Sequence, residues 1–238
     1  QAAGSFLGRM DADDIALPGR IAQQLVYLEL NPDVAICGGC VQIFADHPIA
    51  GGNRRYQAWL NSCRSPEAIR RELYIESPIP NPTAFFRRAA LEELGGYSDP
   101  EWPEDYDLYL RADASGMKMG KPEKVLLRWR EHDSRLTRTD SRYGLEKFQA
   151  AKLHYLAASR LGLQVPLLIW GAGPTGALTH DLLRDEGVKV AGFLEIHPRR
   201  IGGRKRDLPV YALEQLHEDR ESFVLVAVGS AGAKENIR

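Results

Sequence analysis

Apolar positions along the chain follow two rhythms. In the first, short helical and strand patterns are mixed. Ile21, Leu25, Val26 and Leu28 predict a helix over residues 18–31, with Pro18 in its first turn and this apolar set as its inward face. Asn31-Pro32-Asp33 ends it. Residues 34–44 predict a strand that kinks or bulges at Gly38 and Gly39, followed by a loop over residues 45–53. Ser65 and Pro66 are a cap and first residue for a helix over residues 65–74. Prolines 78, 80 and 82 exclude helix there, and Thr83 to Arg87 reads as a buried strand. A short helix over residues 88–94 closes at Gly95-Gly96. Another covers residues 103–115, opened by Glu104 and Asp105 and ended by Gly116. Residues 118–130 read as a strand with a turn before it, and residues 143–161 as a helix stopped at Gly162.

Beyond residue 163 the rhythm changes, and a domain boundary is placed there. Val165 to Trp170 is a continuous apolar run, as in a strand covered on both faces. A glycine-rich turn, a helix to about residue 186, a strand over residues 188–194 and a third over residues 223–229 follow. Strand, helix and strand in this order predict a parallel unit. The chain is therefore read as α/β: a domain over residues 1–143, a helical linker over 144–163 and a small parallel-sheet domain over 164–238.

Composition narrows the function. A net charge of −1 over 238 residues gives no support for binding nucleic acid through bulk charge, and no apolar run reaches the length of a membrane span. Three cysteines are too few for a disulfide scaffold and fit a reducing, cytoplasmic setting. Cys37 and Cys40 have CxxC spacing but lack the second pair that a structural zinc site needs. The chain opens on Gln1 and reads as a piece of something longer.

The candidate chemistry starts at Asp11-Ala12-Asp13-Asp14. Three carboxylates in four positions repel one another unless a cation is held there, and short Asp side chains suit Mg²⁺ or Mn²⁺. Such an ion can bridge to phosphate oxygens. The plainer reading is an Asp-rich turn, with Asp14 capping the helix that follows. Glu104 and Asp105 stand side by side after Trp102-Pro103. Either one carboxylate acts as a base, or both cap the helix with Asp107 on its solvated face. His132 lies among Arg130, Arg135 and Arg138, a cationic patch that suits a diphosphate or is ordinary surface charge. Trp102 supplies a wall for a sugar face or belongs to the core.

Taken together, four ordered segments resemble family 2 glycosyltransferases. Arg9 to Arg20, continuing through Gln24-Leu25 to Val34, resembles their metal-binding segment. Asn81 to Arg88 with Leu94-Gly95-Gly96-Tyr97 is similar to their acceptor-side segment, Pro103 to Arg111 to their catalytic acid segment, and Arg130-Glu131-His132 with Arg135-Leu136-Thr137 to their closing segment. The resemblance implies the later part of a GT-A domain and a nucleotide-diphospho-sugar donor. It also implies a divalent ion at Asp13, with Asp11 and His132 at the metal or donor, and inverting transfer with Asp105 as base beside Glu104. Asp11, Asp13, Trp102 and Arg130 would line the substrate site. A glycan or lipid-linked acceptor in surface-glycan assembly would receive the sugar, at the inner membrane face if the protein is peripheral. Only ten residues precede Asp11, so the base-binding part is expected to be absent and the fragment alone inactive.

Gly171-Ala172-Gly173-Pro174-Thr175-Gly176 fits GxGxxG between a strand and a helix, and Glu195 ends the next strand where a ribose-binding acid belongs. This domain resembles the nucleotide-sugar-binding domain of bacterial sugar O-acyltransferases, carried by Ile169 to Gly173, Val190 to Leu194, Ile201-Gly202-Gly203, Leu208-Pro209-Val210 and Val226 to Gly229. The resemblance implies a bound nucleotide or nucleotide-sugar at Gly171, Gly173, Gly176 and Glu195, although Pro174-Thr175 replaces the usual His-Gly. The alternative is a Rossmann-like module with an empty crevice. Arg199, Arg200, Arg204, Lys205 and Arg206 read as a solvated loop. Two further readings are a non-catalytic nucleotide-sugar sensor and an NAD(P)-dependent oxidoreductase. The latter lacks a visible catalytic set.

Overall fold

The computed structural model describes residues 3–159, 165–217 and 222–228. Gly162 and Gly229, expected to end a helix and a strand, lie outside the described residues. The chain divides into two compact units, Gln1–Phe148 and Gln149–Arg238. Both mix helices and sheets, as the alternating patterns predict.

The first unit runs β1 (Phe6–Gly8), β2 (Ile15–Ala16), α1 (Arg20–Leu30), β3 (Val34–Cys37), β4 (Cys40–Phe44), α2 (Gly51–Ser62) and α3 (Pro66–Leu73). It continues through β5 (Phe85–Arg87), α4 (Arg88–Glu93), α5 (Glu104–Ala114), β6 (Lys118–Gly120), β7 (Val125–Arg130), α6 (Leu136–Thr139) and into α7 (Leu145–Ser159). Two sheets result, ordered β1-β5-β3-β6 and β2-β7-β4. Leu28, Val34, Cys37 and Phe85 form one core cluster, and Val41, Leu60 and Leu127 another.

The expected single strand over residues 34–44 is two strands in two sheets. The chain changes sheet at Gly38-Gly39, where a Cβ at Gly38 would meet the Lys121 side chain at 2.9 Å. The loop expected over residues 45–53 gives way at Gly51 to α2, whose two leading glycines hide a helix start from propensity. The inward face of α1 also differs from expectation. Arg20, Gln24 and Leu28 are buried on it, while Ile21 and Val26 are about half exposed. Tertiary hydrogen bonding, described below, overrides the apolar periodicity. Asp14 caps no helix: α1 begins after Gly19, and Asp14 turns instead toward β7. Asp107, which the capping alternative put on a solvated face, is 2 % exposed. It accepts hydrogen bonds from Ser98, Trp102 and Arg111.

The second unit contains β8 (Leu167–Trp170), α8 (Pro174–Asp185), β9 (Val190–Glu195), β10 (Arg204–Lys205), β11 (Leu208–Ala212) and β12 (Phe223–Val226). Its sheet is ordered β10-β11-β9-β8-β12, parallel except at the β10–β11 edge.

Candidate active site

The acidic turn is held from both ends. Arg9 N donates to Ala84 O beyond β1, and β2 pairs antiparallel with β7. β7 thereby delivers Arg130 to His132 onto the turn. Arg130 N donates to Asp14 Oδ1 at 2.8 Å, and Arg130 Nε to Asp13 O at 3.0 Å. His132 Nε2 lies 2.8 Å from Asp13 Oδ2, and its Nδ1 2.8 Å from Ser134 Oγ. Asp11 is paired with Arg9 at 3.0 Å.

Burial raises the Asp13 carboxyl, but the His132 hydrogen bond, a backbone amide and the nearby Arg135 outweigh it and leave the group below its ordinary value. Asp14 goes the other way. Desolvation and the charges of Asp13 and Asp11 push it up to about 6, against the Arg130 amide. Its Oδ2 is buried without a hydrogen-bond partner.

Among the described residues no three His, Cys, Asp or Glu groups converge to hold a metal ion. Asp13 with His132 nevertheless fits an open ion site. It offers one hard oxygen and one imidazole nitrogen, both solvent-accessible, and divalent ions at phosphate sites commonly take only one or two protein ligands. Asp11 is turned toward Arg9. The cationic patch is mostly neutralised: Arg135 and Arg138 both pair with Glu131, and Arg138 also with Asp133.

The second acidic cluster opens α5. Asp105 Oδ1 accepts from the Tyr106 amide at 2.7 Å, and Glu104 accepts from Tyr143 Oη at 2.9 Å. Desolvation, then the Glu104 charge, push Asp105 up to about 7, with Arg9 pulling the other way. Arg9 and Tyr97 connect the clusters. Tyr97 feels the charges of Asp105, Glu104 and Asp11, and Arg9 those of Asp11 and Glu104. Trp102 is half-buried, with Nε1 spent on Asp107.

Sequence reasoning gave no individual role to Tyr97, Arg20 and Gln24, although they lie in the family-like segments, and did not single out Tyr143. Arg20 and Gln24 differ in kind from the tyrosines. Both are polar at helical spacing, a pattern that ordinarily marks the solvated face.

In the second unit a Cβ on Gly176 would lie 1.8 Å from Gly171 O, so strand and helix touch there. Gly171 has φ +120° and packs against Ala227. At Gly173 nothing but the Arg200 side chain comes within 4 Å of an added Cβ. Glu195 does end β9, but its acceptor positions are taken. Oε1 receives the amides of Ile196 and His197; Oε2 receives the Ala172 amide and Arg200 at 3.0 Å. A ribose hydroxyl would have to displace one of these. Arg206 pairs with Asp181, so the basic loop is partly docked.

Residues 1–95 match the family model for glycosyl transferase family 2. An uncharacterized glycosyltransferase of Haemophilus influenzae is 28% identical over 156 residues, covering 66% of this chain and 55% of that protein. The amylovoran biosynthesis glycosyltransferase AmsE of Erwinia amylovora is 30% identical over 126 residues, covering 53% and 45% respectively. An Escherichia coli UDP-Gal:alpha-D-GlcNAc-diphosphoundecaprenol beta-1,3-galactosyltransferase is 26% identical, covering 66% and 54%. The chain spans about half the length of these relatives.

Proposed function

On the match of residues 1–95 to the glycosyl transferase family 2 model, we propose that the protein transfers a sugar from a nucleotide-diphospho-sugar to an acceptor hydroxyl, with inversion. The observation that carries this reading is the pairing of two acidic clusters through shared neighbours. Arg9 pairs with Asp11 at 3.0 Å and stands over the Tyr97 ring at 5.9 Å, the charges of Asp11 and Glu104 act on both residues, and that of Asp105 acts on Tyr97. Single displacement needs that arrangement, with the leaving diphosphate on one side of the sugar and a base on the other.

Asp13 and His132 would hold a divalent ion, with Asp11 and Arg130 beside the donor. Bound there, the ion would supply positive charge to a departing diphosphate. Asp105 takes the acceptor proton. Its desolvated carboxyl, near 7, is basic enough to accept a proton and ionised enough at neutral pH to do so. Glu104 keeps that carboxyl basic through its negative charge and is itself oriented by Tyr143. Arg9 restrains Asp11 on the donor side.

The relatives named for amylovoran and for a diphosphoundecaprenol-linked acceptor support surface-polysaccharide assembly with a glycan or lipid-linked acceptor. No helix among the described residues is long and apolar enough to cross a membrane. In the second unit, the glycine turn between β8 and α8 is read as a Rossmann-like nucleotide or nucleotide-sugar site. The open space at Gly173 supports that reading.

Transfer of radiolabelled sugar from a panel of nucleotide-sugars to lipid-linked acceptors by the full-length protein, with Mn²⁺ and with chelator, tests this. Turnover that Mn²⁺ supports, with an inverted anomeric centre in the product, is expected. Retention of configuration would remove the single-displacement reading.

A further inference from the structure

Beneath the acidic turn lies a charged side chain for which the reaction scheme has given no use. Arg20 is 4 % exposed. Its three hydrogen bonds go to a carbonyl, a thioether and an amide: NH2 to Arg9 O at 2.6 Å, NH1 to Met10 Sδ at 3.0 Å and Nε to Gln24 Oε1 at 3.1 Å. Gln24 is fully buried and spends its own NH₂ on three carbonyls. These are Thr83 O at 2.7 Å, Gly38 O at 3.0 Å and Cys37 O at 3.2 Å. Those contacts fix the orientation of the amide, because only its oxygen is left to face Arg20.

The two side chains therefore form one buried path. It starts on the backbone of Arg9 and Met10, directly before Asp11. It ends on Thr83, two residues from Asn81. Asn81 Oδ1 accepts from Tyr97 Oη at 2.7 Å, and Tyr97 lies within electrostatic reach of Asp105. Thr83 is itself fixed, donating to Pro80 O and accepting from Gly39 N. Burial disfavours the charge on Arg20, and the carboxylate that opposes this is Asp14. A buried guanidinium is costly, and an apolar side chain of similar volume would ordinarily fill such a place as well or better. A fork that spans two backbone segments is the property an apolar residue lacks.

We propose that Arg20, acting through Gln24, is a positioning residue that sets the distance between the donor-side acidic turn and the acceptor-side segment around Asn81. The proposal rests on the sugar-transfer reading above. Neither residue touches substrate. Each acts by fixing backbone: Arg20 at Arg9–Met10, and Gln24 at Thr83 and at the sheet crossing by Gly38.

Arg20→Met and Gln24→Met each keep the volume and cut one link. Measured in the full-length protein well below its melting temperature, each is expected to lower kcat about 10- to 100-fold, the scale of a small misplacement of reacting groups. Mn²⁺ and uridine diphosphate affinities should stay within about threefold of wild type, because Asp13 and His132 are untouched. The double variant should be no worse than the poorer single one, since one path can be cut only once. Arg20→Lys should recover part of kcat. Wild-type kcat in either folded variant, additive losses, or loss of activity that tracks only the folded fraction would overturn the proposal. Should Arg20→Met fail to fold, Gln24→Met alone decides it. A wild-type protein without turnover removes the transfer reading itself, whereas turnover that ignores both substitutions removes only the positioning role.

Discussion

His132 Nε2 sits 2.8 Å from Asp13 Oδ2, across 119 positions of sequence. This contact joins the end of β7 to the acidic turn and helps hold Asp13 below its ordinary pKa, against the upward pull of burial. It is also the one contact from His132 to the turn's carboxylates among the described residues. If the pair receives a divalent ion, His132→Ala removes one of two protein ligands. Mn²⁺ affinity, followed by electron paramagnetic resonance titration, should fall about 10- to 100-fold. Unchanged affinity would assign His132 to fixing the turn alone.

Asp105→Asn tests the base. The amide keeps the size of the side chain and the space at the start of α5, but it cannot take a proton. Transfer should drop by about two to four orders of magnitude, while uridine diphosphate binding, measured calorimetrically, stays near wild type. A variant that turns over normally ends the assignment.

The pH dependence follows from the same group. Desolvation and Glu104 raise Asp105 in the folded protein to about 7, from an ordinary 3.8. The folded state thus keeps a proton that the unfolded chain releases. Its contribution to stability is full below about pH 4 and is lost as pH rises through about 7. Transfer runs in the opposite sense, since the base must be ionised: kcat should rise with pH through a midpoint near 7. Stability measured by denaturant titration at pH 4.5 and 7.5 should fall across this interval in wild type, and fall less in Asp105→Asn. A midpoint that stays put in a Glu104→Gln variant would show that the neighbouring charge is not what raises the group.

Much of this arrangement was legible because its signals are short-range. Ser65 and Pro66 announce α3, and the Ser65 hydroxyl does accept the Ala68 amide. Gly95 and Gly96 close α4 with φ values of +75° and +72°. Asp13, His132 and Asp105 were singled out mainly through the resemblance of the segments that carry them, since residue chemistry alone left each with a plainer reading as turn, surface or cap. The burial of Arg20, Gln24 and Asp107 was not legible, for the opposite reason. They are polar at positions that look solvated, and their partners lie on other elements: Arg9 O, Thr83 O, and Ser98 with Trp102. Hydrogen-bond satisfaction across the fold decides their burial, and a helical periodicity cannot carry that information. The start of α2 at Gly51-Gly52 escaped because local propensity argues against it while Leu60, fully buried, anchors the helix.

The glycines of the second unit separate packing from ligand approach. Gly176→Ala puts a methyl group 1.8 Å from Gly171 O, a backbone atom that cannot move aside cheaply. Destabilisation of about 3 kcal/mol, the upper end of the usual overpacking range, read from thermal or denaturant unfolding of that unit, is expected. Gly173 differs. Its backbone is extended, at φ −81° and ψ −168°, which alanine adopts freely. Only Arg200 approaches an added Cβ, at 3.8 Å, so Gly173→Ala should cost less than about 1 kcal/mol. If the turn takes a nucleotide as proposed, the new methyl group would stand where its phosphate would approach the amides at the start of α8. With Asp13→Ala silencing the first unit, calorimetric titration with nucleotides and nucleotide-sugars should show binding to the Asp13→Ala protein and its loss when Gly173→Ala is added. Binding that survives Gly173→Ala would mean that the ligand, if seated in this unit at all, does not use the glycine turn.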